Sequence, residues 1–387
     1  MSRAARADAV IVGGGLVGRA AACAVAASGR STVYVAPKAP PDRRTSALMQ
    51  PSVDYLRESG LVEAPEQLGT ALTRIRIIDA TSRLVRAPET LFDSREAGLP
   101  AFGWNFPNIR LAAAFEAAGT DLPNLETRET TLAALQPAVE GWRLTLGNGD
   151  TLEAALVVGA DGKRSLVRGA GDFTVREQAF RQSALVCDLE LGRPLEGTSV
   201  EFHYPQGPFT LVPAGDNRAN LVWIDTDQVL QAARAAGPEL LRAALLERSH
   251  RLFGEIEVLT PSHVFPLSTL GVNRAGAAGI MLVGEAAHAF PPIGAQGLNL
   301  GLRDVADLAA SLAAAGEGPG WARAASEDYA RRRAADLART GGMVDALFRS
   351  LLMELLPAQA LRAGGLWALK LLPPLRRQAF SIGMGRR

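Results

Sequence analysis

Ala9-Val10-Ile11-Val12-Gly13-Gly14-Gly15-Leu16-Val17-Gly18 is the stretch that decides the fold. Four apolar residues suited to a buried strand end in a glycine turn. An alanine-rich run over 16–28 then predicts a helix, and residues 31–36 predict a second strand. This is the strand–helix–strand opening of a dinucleotide fold. Gly13 permits the tight turn, Gly15 lets the backbone approach a pyrophosphate, and Gly18 lets helix and strand pack closely. The helix N-terminus faces the anion. Alone, the motif leaves FAD, NAD and NADP open.

The end of the second strand normally arbitrates, because an Asp or Glu there accepts from a ribose hydroxyl. Here it reads Val35-Ala36-Pro37-Lys38, without that carboxylate. Lys38, Arg43 and Arg44 follow. They suit either a 2′-phosphate or a solvated loop.

Composition narrows the classes. A chain of 387 residues with 48% hydrophobic content is long enough for two domains and a substantial core. Lys plus Arg number 41 against 40 for Asp plus Glu, a balance that gives no reason to expect a nucleic-acid surface. Cys23 and Cys187 have no ligand spacing with His203, His250, His263 or His288, which argues against a disulfide framework or a metal centre. The basic and apolar N-terminus has the look of a secretory signal, but its glycines assign it to the fold instead. No stretch approaches the roughly 18 uninterrupted apolar residues of a spanning helix, so a cytoplasmic protein is expected.

Two further motifs decide among the cofactors. Leu156-Val157-Val158 leads into Gly159-Ala160-Asp161-Gly162, followed by Lys163-Arg164-Ser165-Leu166-Val167-Arg168. Far along the chain, Gly279-Ile280-Met281-Leu282-Val283-Gly284 leads into Glu285-Ala286-Ala287-His288, then Pro292-Ile293-Gly294-Ala295-Gln296-Gly297-Leu298-Asn299-Leu300-Gly301-Leu302-Arg303-Asp304. With three such segments the chain resembles the class A FAD-dependent aromatic hydroxylases. The last run, together with Asp42-Arg43-Arg44-Thr45-Ser46-Ala47-Leu48 and Phe102-Gly103-Trp104-Asn105 leading to Asn108-Ile109-Arg110-Leu111, is similar to the branch that hydroxylates ubiquinone precursors.

The resemblance implies an α/β fold: a Rossmann-like FAD-binding domain with an inserted mixed β-sheet substrate domain and a C-terminal helical segment. The expected boundaries are 1–172 and 266–339 for the FAD-binding part, 173–265 for the substrate sheet and 340–387 for the helical segment, with 75–100 open to assignment to the substrate domain. It also implies FAD contacts at Gly13, Gly15, Gly18, Arg44, Arg110, Asp161, Gly162, Glu285, Gly294, Ala295, Gln296, Gly297, Leu298 and Asn299. Arg44 and Gln296 would shape the flavin environment, Arg44 where the isoalloxazine changes position. No protein nucleophile is expected, because in the resembled family the chemistry resides in a C4a-hydroperoxyflavin, with NADPH or NADH as transient reductant and O2 as co-substrate.

Departures from the family pattern are visible. Glu285 stands where the family usually has Asp, and Gly294-Ala295 reverses the usual order of small residues. Ala tolerates positive φ poorly, so the reversal is expected to alter the turn. The helix predicted over 298–314 carries Leu298, Leu302, Val305, Leu308 and Leu312 on one face. Its N-terminus would point at the flavin pyrimidine edge and stabilise negative charge there.

His288 lacks a partner carboxylate or serine at motif distance and reads as structural. Strands are predicted at 183–190, 199–203, 209–213 and 219–224, with Phe202, Tyr204, Phe209 and Trp223 as core or pocket aromatics. Residues 87–100 and 316–320 read as loops. At the C-terminus, Leu347, Leu351, Leu355 and Leu356 share a helical face, with Arg376, Arg377, Arg386 and Arg387 beyond. Such a terminus either packs on the FAD domain or docks on the inner membrane surface or a partner protein.

The function expected from the resemblance is hydroxylation of a polyprenyl phenol or benzoquinol intermediate of ubiquinone biosynthesis, alongside other proteins of that route. The alternatives are another aromatic-substrate flavin monooxygenase and a catalytically impaired scaffold subunit of a biosynthetic complex.

Overall fold

The computed structural model describes residues 5–82 and 86–352, with isolated positions beyond as far as Arg376. The opening unit is the strand Ala5–Val12, the helix Leu16–Ala27 and the strand Thr32–Val35. Thr151–Gly159 and Ile280–Leu282 extend the sheet on one side and Leu125–Arg128 on the other, all parallel to their neighbours. A parallel sheet is stable only with both faces covered, and alternate residues of these strands serve the two sides. Ala9, Ile11, Leu156, Val158 and Met281 pack with the helices Leu16–Ala27 and Gln296–Ala315. Val10, Val12, Val157, Ile280 and Leu282 pack instead with Trp142, Leu144 and Leu146. Those three belong to the hairpin Leu132–Ala138 and Gly141–Leu146, which is antiparallel to the start of Thr151–Gly159.

A second sheet runs in the order His288–Ala289, His263–Val272, Val175–Leu191, Arg218–Thr226, Gly207–Pro213, Thr198–Tyr204, Arg74–Asp79, Thr90–Asp93. Its strand at His263–Val272 continues past residue 265 because the first half of Val175–Leu191 requires a partner there: Val175 pairs with Val272 and Ala179 with Ser268. Pro266 hides this continuation in the sequence. It sits where the ladder shifts register, a place that tolerates a missing N–H. The expected loop 87–100 contains the edge strand Thr90–Asp93, too short to show a period.

Two helices unannounced by the sequence reading, Asp227–Ala235 and Pro238–Arg248, cover one face of this sheet. Leu230, Leu241 and Leu245 join Phe202, Phe209, Leu221 and Trp223 there. Phe209 meets Phe202 and Trp223 edge-on at 5.9 and 6.2 Å. These aromatics are therefore sheet core. A three-stranded sheet of Thr45–Met49, Gly103–Pro107 and Thr70–Leu72 bridges the two larger ones. Asn220 fastens it, accepting at Oδ1 from Thr45 Oγ1 at 2.8 Å and from Asn105 Nδ2 at 2.7 Å.

The helix Trp321–Leu352 runs unbroken through residue 340, so no element boundary falls there. Of the expected C-terminal face, Leu355, Leu356, Arg377, Arg386 and Arg387 lie outside the described residues. Arg376 pairs with Glu96 at 2.5 Å and lies 5.8 Å from the Phe92 ring centre. Among the described residues no helix is long and apolar enough to cross a membrane.

Candidate cofactor site

The parallel strands end together at Val12, Val35, Gly159 and Leu282, and a cavity of about 680 Å³ opens beyond them. Clefts at the carboxyl ends of such strands are where open α/β sheets bind ligands. Gly13, Gly15, Gly18, Arg44, Asp161, Gly162, Glu285, Gly297 and Leu298 all line it. Arg110, Gly294, Ala295, Gln296 and Asn299 are not among the lining residues.

The glycines differ in what they permit. A β-carbon on Gly13, whose φ is +130°, would lie 2.1 Å from the Ala160 oxygen. One on Gly18 would lie 2.0 Å from the Gly13 oxygen. Both positions are closed by backbone. A β-carbon on Gly15 would meet nothing within 4 Å, and its φ of −74° is ordinary for any residue. Nothing in the fold demands glycine at 15, so the open space belongs to whatever enters the cavity. Gly15 is the N-cap of the helix Leu16–Ala27 and lacks a side-chain cap, so the first turn's N–H groups remain available to an anion. These features fit a pyrophosphate. Ala36 is buried against Gly14, where a β-carbon would lie 3.3 Å from Ala36 Cβ.

Asp161 has local work. Its carboxylate accepts from the Ser165 hydroxyl, from Leu166 N at 2.7 Å and from Val167 N at 3.2 Å, which caps the helix Leu166–Ala170. Arg168 then joins the two strand-end motifs, donating to the Ala286 carbonyl at 2.8 Å and to the Lys163 carbonyl at 2.5 Å. Glu285 is the exposed residue in an otherwise buried run from Gly284 to Ala289, and it faces the cavity.

Arg44 makes a two-point pair with Asp42, Nε to Oδ1 at 2.9 Å and NH2 to Oδ2 at 2.8 Å. Asn108 Nδ2 adds a bond to Asp42 Oδ2 at 2.9 Å. Burial works against ionisation of Asp42, yet the hydrogen bonds from Arg44 and Asn108 and the Arg44 charge outweigh it, and the carboxyl falls to about 2. Asp42 raises the Arg44 pKa in return, chiefly by hydrogen bonding, and the field of Glu285 adds to this. Asn108, which the sequence reading passed over, lines the cavity, whereas Arg110 is exposed. The helix Asn108–Thr120 buries Asn108, Leu111 and Phe115 at helical spacing, and that register turns 110 outward.

The loop before the helix Gln296–Ala315 keeps an alanine where the sequence led one to expect an altered turn. Gly294 and Ala295 both have positive φ, +65° and +53°, so an alanine occupies the left-handed region. Gln296 donates to the Gly294 carbonyl at 3.0 Å. Asn299 is engaged by the strand Thr45–Met49, accepting from Met49 N at 2.8 Å and donating to the Ala47 carbonyl at 2.9 Å. It thus ties the Arg44 segment to the helix N-terminus.

His288 has the partner that motif spacing did not reveal. Its Nε2 lies 2.6 Å from Asp304 Oδ2, sixteen residues away on the helix Gln296–Ala315. Both residues are buried. The signal was present only as a charged residue on the apolar face of that helix, where an Asp requires a partner.

Comparison with known proteins agrees with this geometry. The family model described as FAD binding domain matches residues 6–340. Ubiquinone hydroxylase UbiL of Rhodospirillum rubrum is 33% identical over 98% of this chain and 90% of its own. The 3-demethoxyubiquinol 3-hydroxylase of Escherichia coli is 30% identical over 97% of both. Among solved structures, p-nitrophenol 4-monooxygenase from Pseudomonas putida superposes with a TM-score of 0.79 at 19% identity, covering 99% of this chain and 100% of that one, a likeness of fold. With the family model and both relatives spanning nearly its whole length, the chain belongs to the FAD binding domain family, in its branch of ubiquinone-biosynthesis flavin hydroxylases.

Proposed function

We propose that this protein is an FAD-dependent monooxygenase that hydroxylates a polyprenylated phenol or benzoquinol intermediate of ubiquinone biosynthesis. The observation that carries the reading is the colinear match to relatives named as ubiquinone hydroxylases over 98% and 97% of the chain. The cleft fits the cofactor: closed glycines shape the turn, an open one admits phosphate, and a free helix N-terminus faces it.

In this reading the Gly13–Gly18 loop and the start of the helix Leu16–Ala27 hold the pyrophosphate, and Glu285 accepts from the ribityl hydroxyls. Asp161 and Gly162 border the pyrophosphate, and Arg44 supplies positive charge beside the cofactor, whereas Arg110, exposed and outside the cavity lining, takes no part. Gly294, Ala295, Gln296, Gly297, Leu298 and Asn299 set the loop and helix N-terminus at the pyrimidine edge. FAD, when bound, supplies hydride acceptance and oxygen activation, with NADPH or NADH as donor and O2 as co-substrate. One oxygen atom enters the ring, and the other leaves as water with the two electrons of the nicotinamide. The FAD-binding part then comprises 1–172 and 266–339, apart from the strands Arg74–Asp79 and Thr90–Asp93, the end of His263–Val272, and His288–Ala289, which belong to the second sheet. The sheet that includes 173–265 walls the substrate, and contact with a membrane surface or with other ubiquinone-biosynthesis proteins falls to the C-terminal segment.

The visible spectrum of the purified protein after removal of excess FAD tests this. Stoichiometric flavin absorbance is expected. A colourless protein unable to retain added FAD would remove hydroxylation and favour a scaffold role.

A further inference from the structure

We propose that Asp304 and His288 are positioning residues that hold the turn from Gly284 to His288, and with it Glu285, against the cofactor. This inference rests on the reading of the cleft as an FAD site.

Two donors from one turn and a cation from the helix Trp321–Leu352 converge on the Asp304 carboxylate. Gly284 N donates to Oδ2 at 2.8 Å, His288 Nε2 lies 2.6 Å from the same oxygen, and Arg333 Nε is ion-paired to Oδ1 at 2.8 Å. Arg333 belongs to the helix Trp321–Leu352 and is 0% exposed, as is Asp304. Its NH1 is shared by Asp307 and Asp336, each at 2.8 Å, and Asp336 also takes Arg303 at 3.0 Å. Asp304 Oδ2 accepts the Gly284 N–H, and it accepts from His288 as well when the imidazole carries its hydrogen on Nε2.

Burying so many charges gains little stability over apolar packing, so the arrangement calls for a reason beyond the core. The geometry gives one. Asp304 Oδ2 holds both ends of a five-residue turn at once, the N–H of Gly284 and the ring of His288. Gly284 has φ +57°, a left-handed value that glycine adopts without strain, and its N–H is turned to the Asp304 carboxylate. Between the two anchored ends stands Glu285, which faces the cavity. The His288 ring also stacks on Phe290, centroids 5.9 Å apart at 17°, and Phe290 lines the cavity too. One buried carboxylate thereby sets three cavity-lining side chains, Glu285, His288 and Phe290. Arg333 fixes the carboxylate from behind.

The test is a comparison of FAD dissociation constants, read by flavin fluorescence, with apo-protein melting temperatures alongside. Asp304→Asn strips a buried network and risks misfolding, so the decisive variants are at 288. His288→Phe keeps a ring and loses the donor. His288→Gln restores an N–H able to reach Asp304. The expected results are about tenfold weaker FAD binding for His288→Phe and binding within about twofold of wild type for His288→Gln. In a Glu285→Ala background, His288→Phe should add less than about twofold, because the turn no longer presents a carboxylate. A full tenfold loss in that background, or equal losses for Phe and Gln at 288, would overturn the proposal. A wild-type protein that fails to bind FAD would bring down the cofactor reading, and this inference with it.

Discussion

The two walls of the cavity are built by opposite means. At the nucleotide end, backbone packed against backbone at Gly13 and Gly18 shapes the loop, and no side chain is needed. At the other wall, the turn carrying Glu285 is held through its own His288 by side chains from distant elements, Asp304 and behind it Arg333, with Arg168 reaching in from the Asp161 motif. A backbone-built wall tolerates almost no substitution but is specified by a few residues close in sequence. A side-chain-built wall depends on partners that only the fold brings together.

The largest effect should come from trying to break the first wall. Gly18→Ala places a methyl 2.0 Å from the Gly13 oxygen, inside a strand–helix contact that cannot yield. A loss of about 3 kcal/mol or more in chemical denaturation is expected, and a loss under about 1 kcal/mol would show that the loop adapts. Gly15→Ala sharpens the distinction, since space around Gly15 is open and its φ is ordinary. Stability should stay within about 0.5 kcal/mol while FAD affinity falls about a hundredfold, near 2.7 kcal/mol. Unchanged affinity would mean that the pyrophosphate does not approach there.

The second wall and its surroundings predict smaller changes. Ala295→Gly relieves a left-handed alanine and should raise stability by about 1 kcal/mol, as measured by thermal or urea unfolding. No gain would place the strain elsewhere. Asp42 gives the smallest. Its folded pKa of about 2 lies below the ordinary 3.8, so its contribution is present above pH 4 and fades as pH falls through 2. The side chain is 37% exposed, and after solvent screening the contribution is about 1 kcal/mol or less. Asp42→Asn should therefore cost that amount at pH 7 and almost nothing at pH 2. A cost independent of pH would locate the effect in packing.

The same contrast explains what the sequence disclosed. Gly13, Gly15 and Gly18 are legible because their roles depend on spacing within one turn, and the parallel strands because buried strands read as continuous apolar runs. That the turn at Gly294-Ala295 is unusual was legible from a single reversed pair of residues, but that Ala295 itself takes the left-handed φ was not. The Asp304–His288 pair was not legible, since its members lie on different elements and no local periodicity links them. Nor was the choice of Asn108 over Arg110 at the cavity, which turns on where one helix begins. The helices Asp227–Ala235 and Pro238–Arg248 were missed because their few buried leucines gain meaning only beside Phe209 and Trp223.

The most direct test of the central claim follows oxygen. FAD-loaded protein is incubated with NADPH or NADH, a short-chain prenyl phenol and 18O2, and the product is examined by mass spectrometry. The account predicts a ring-hydroxylated product carrying one 18O atom, with one nicotinamide oxidised for each molecule formed. FAD-loaded protein that oxidises the nicotinamide no faster with the phenol present, and yields no labelled product, would contradict it.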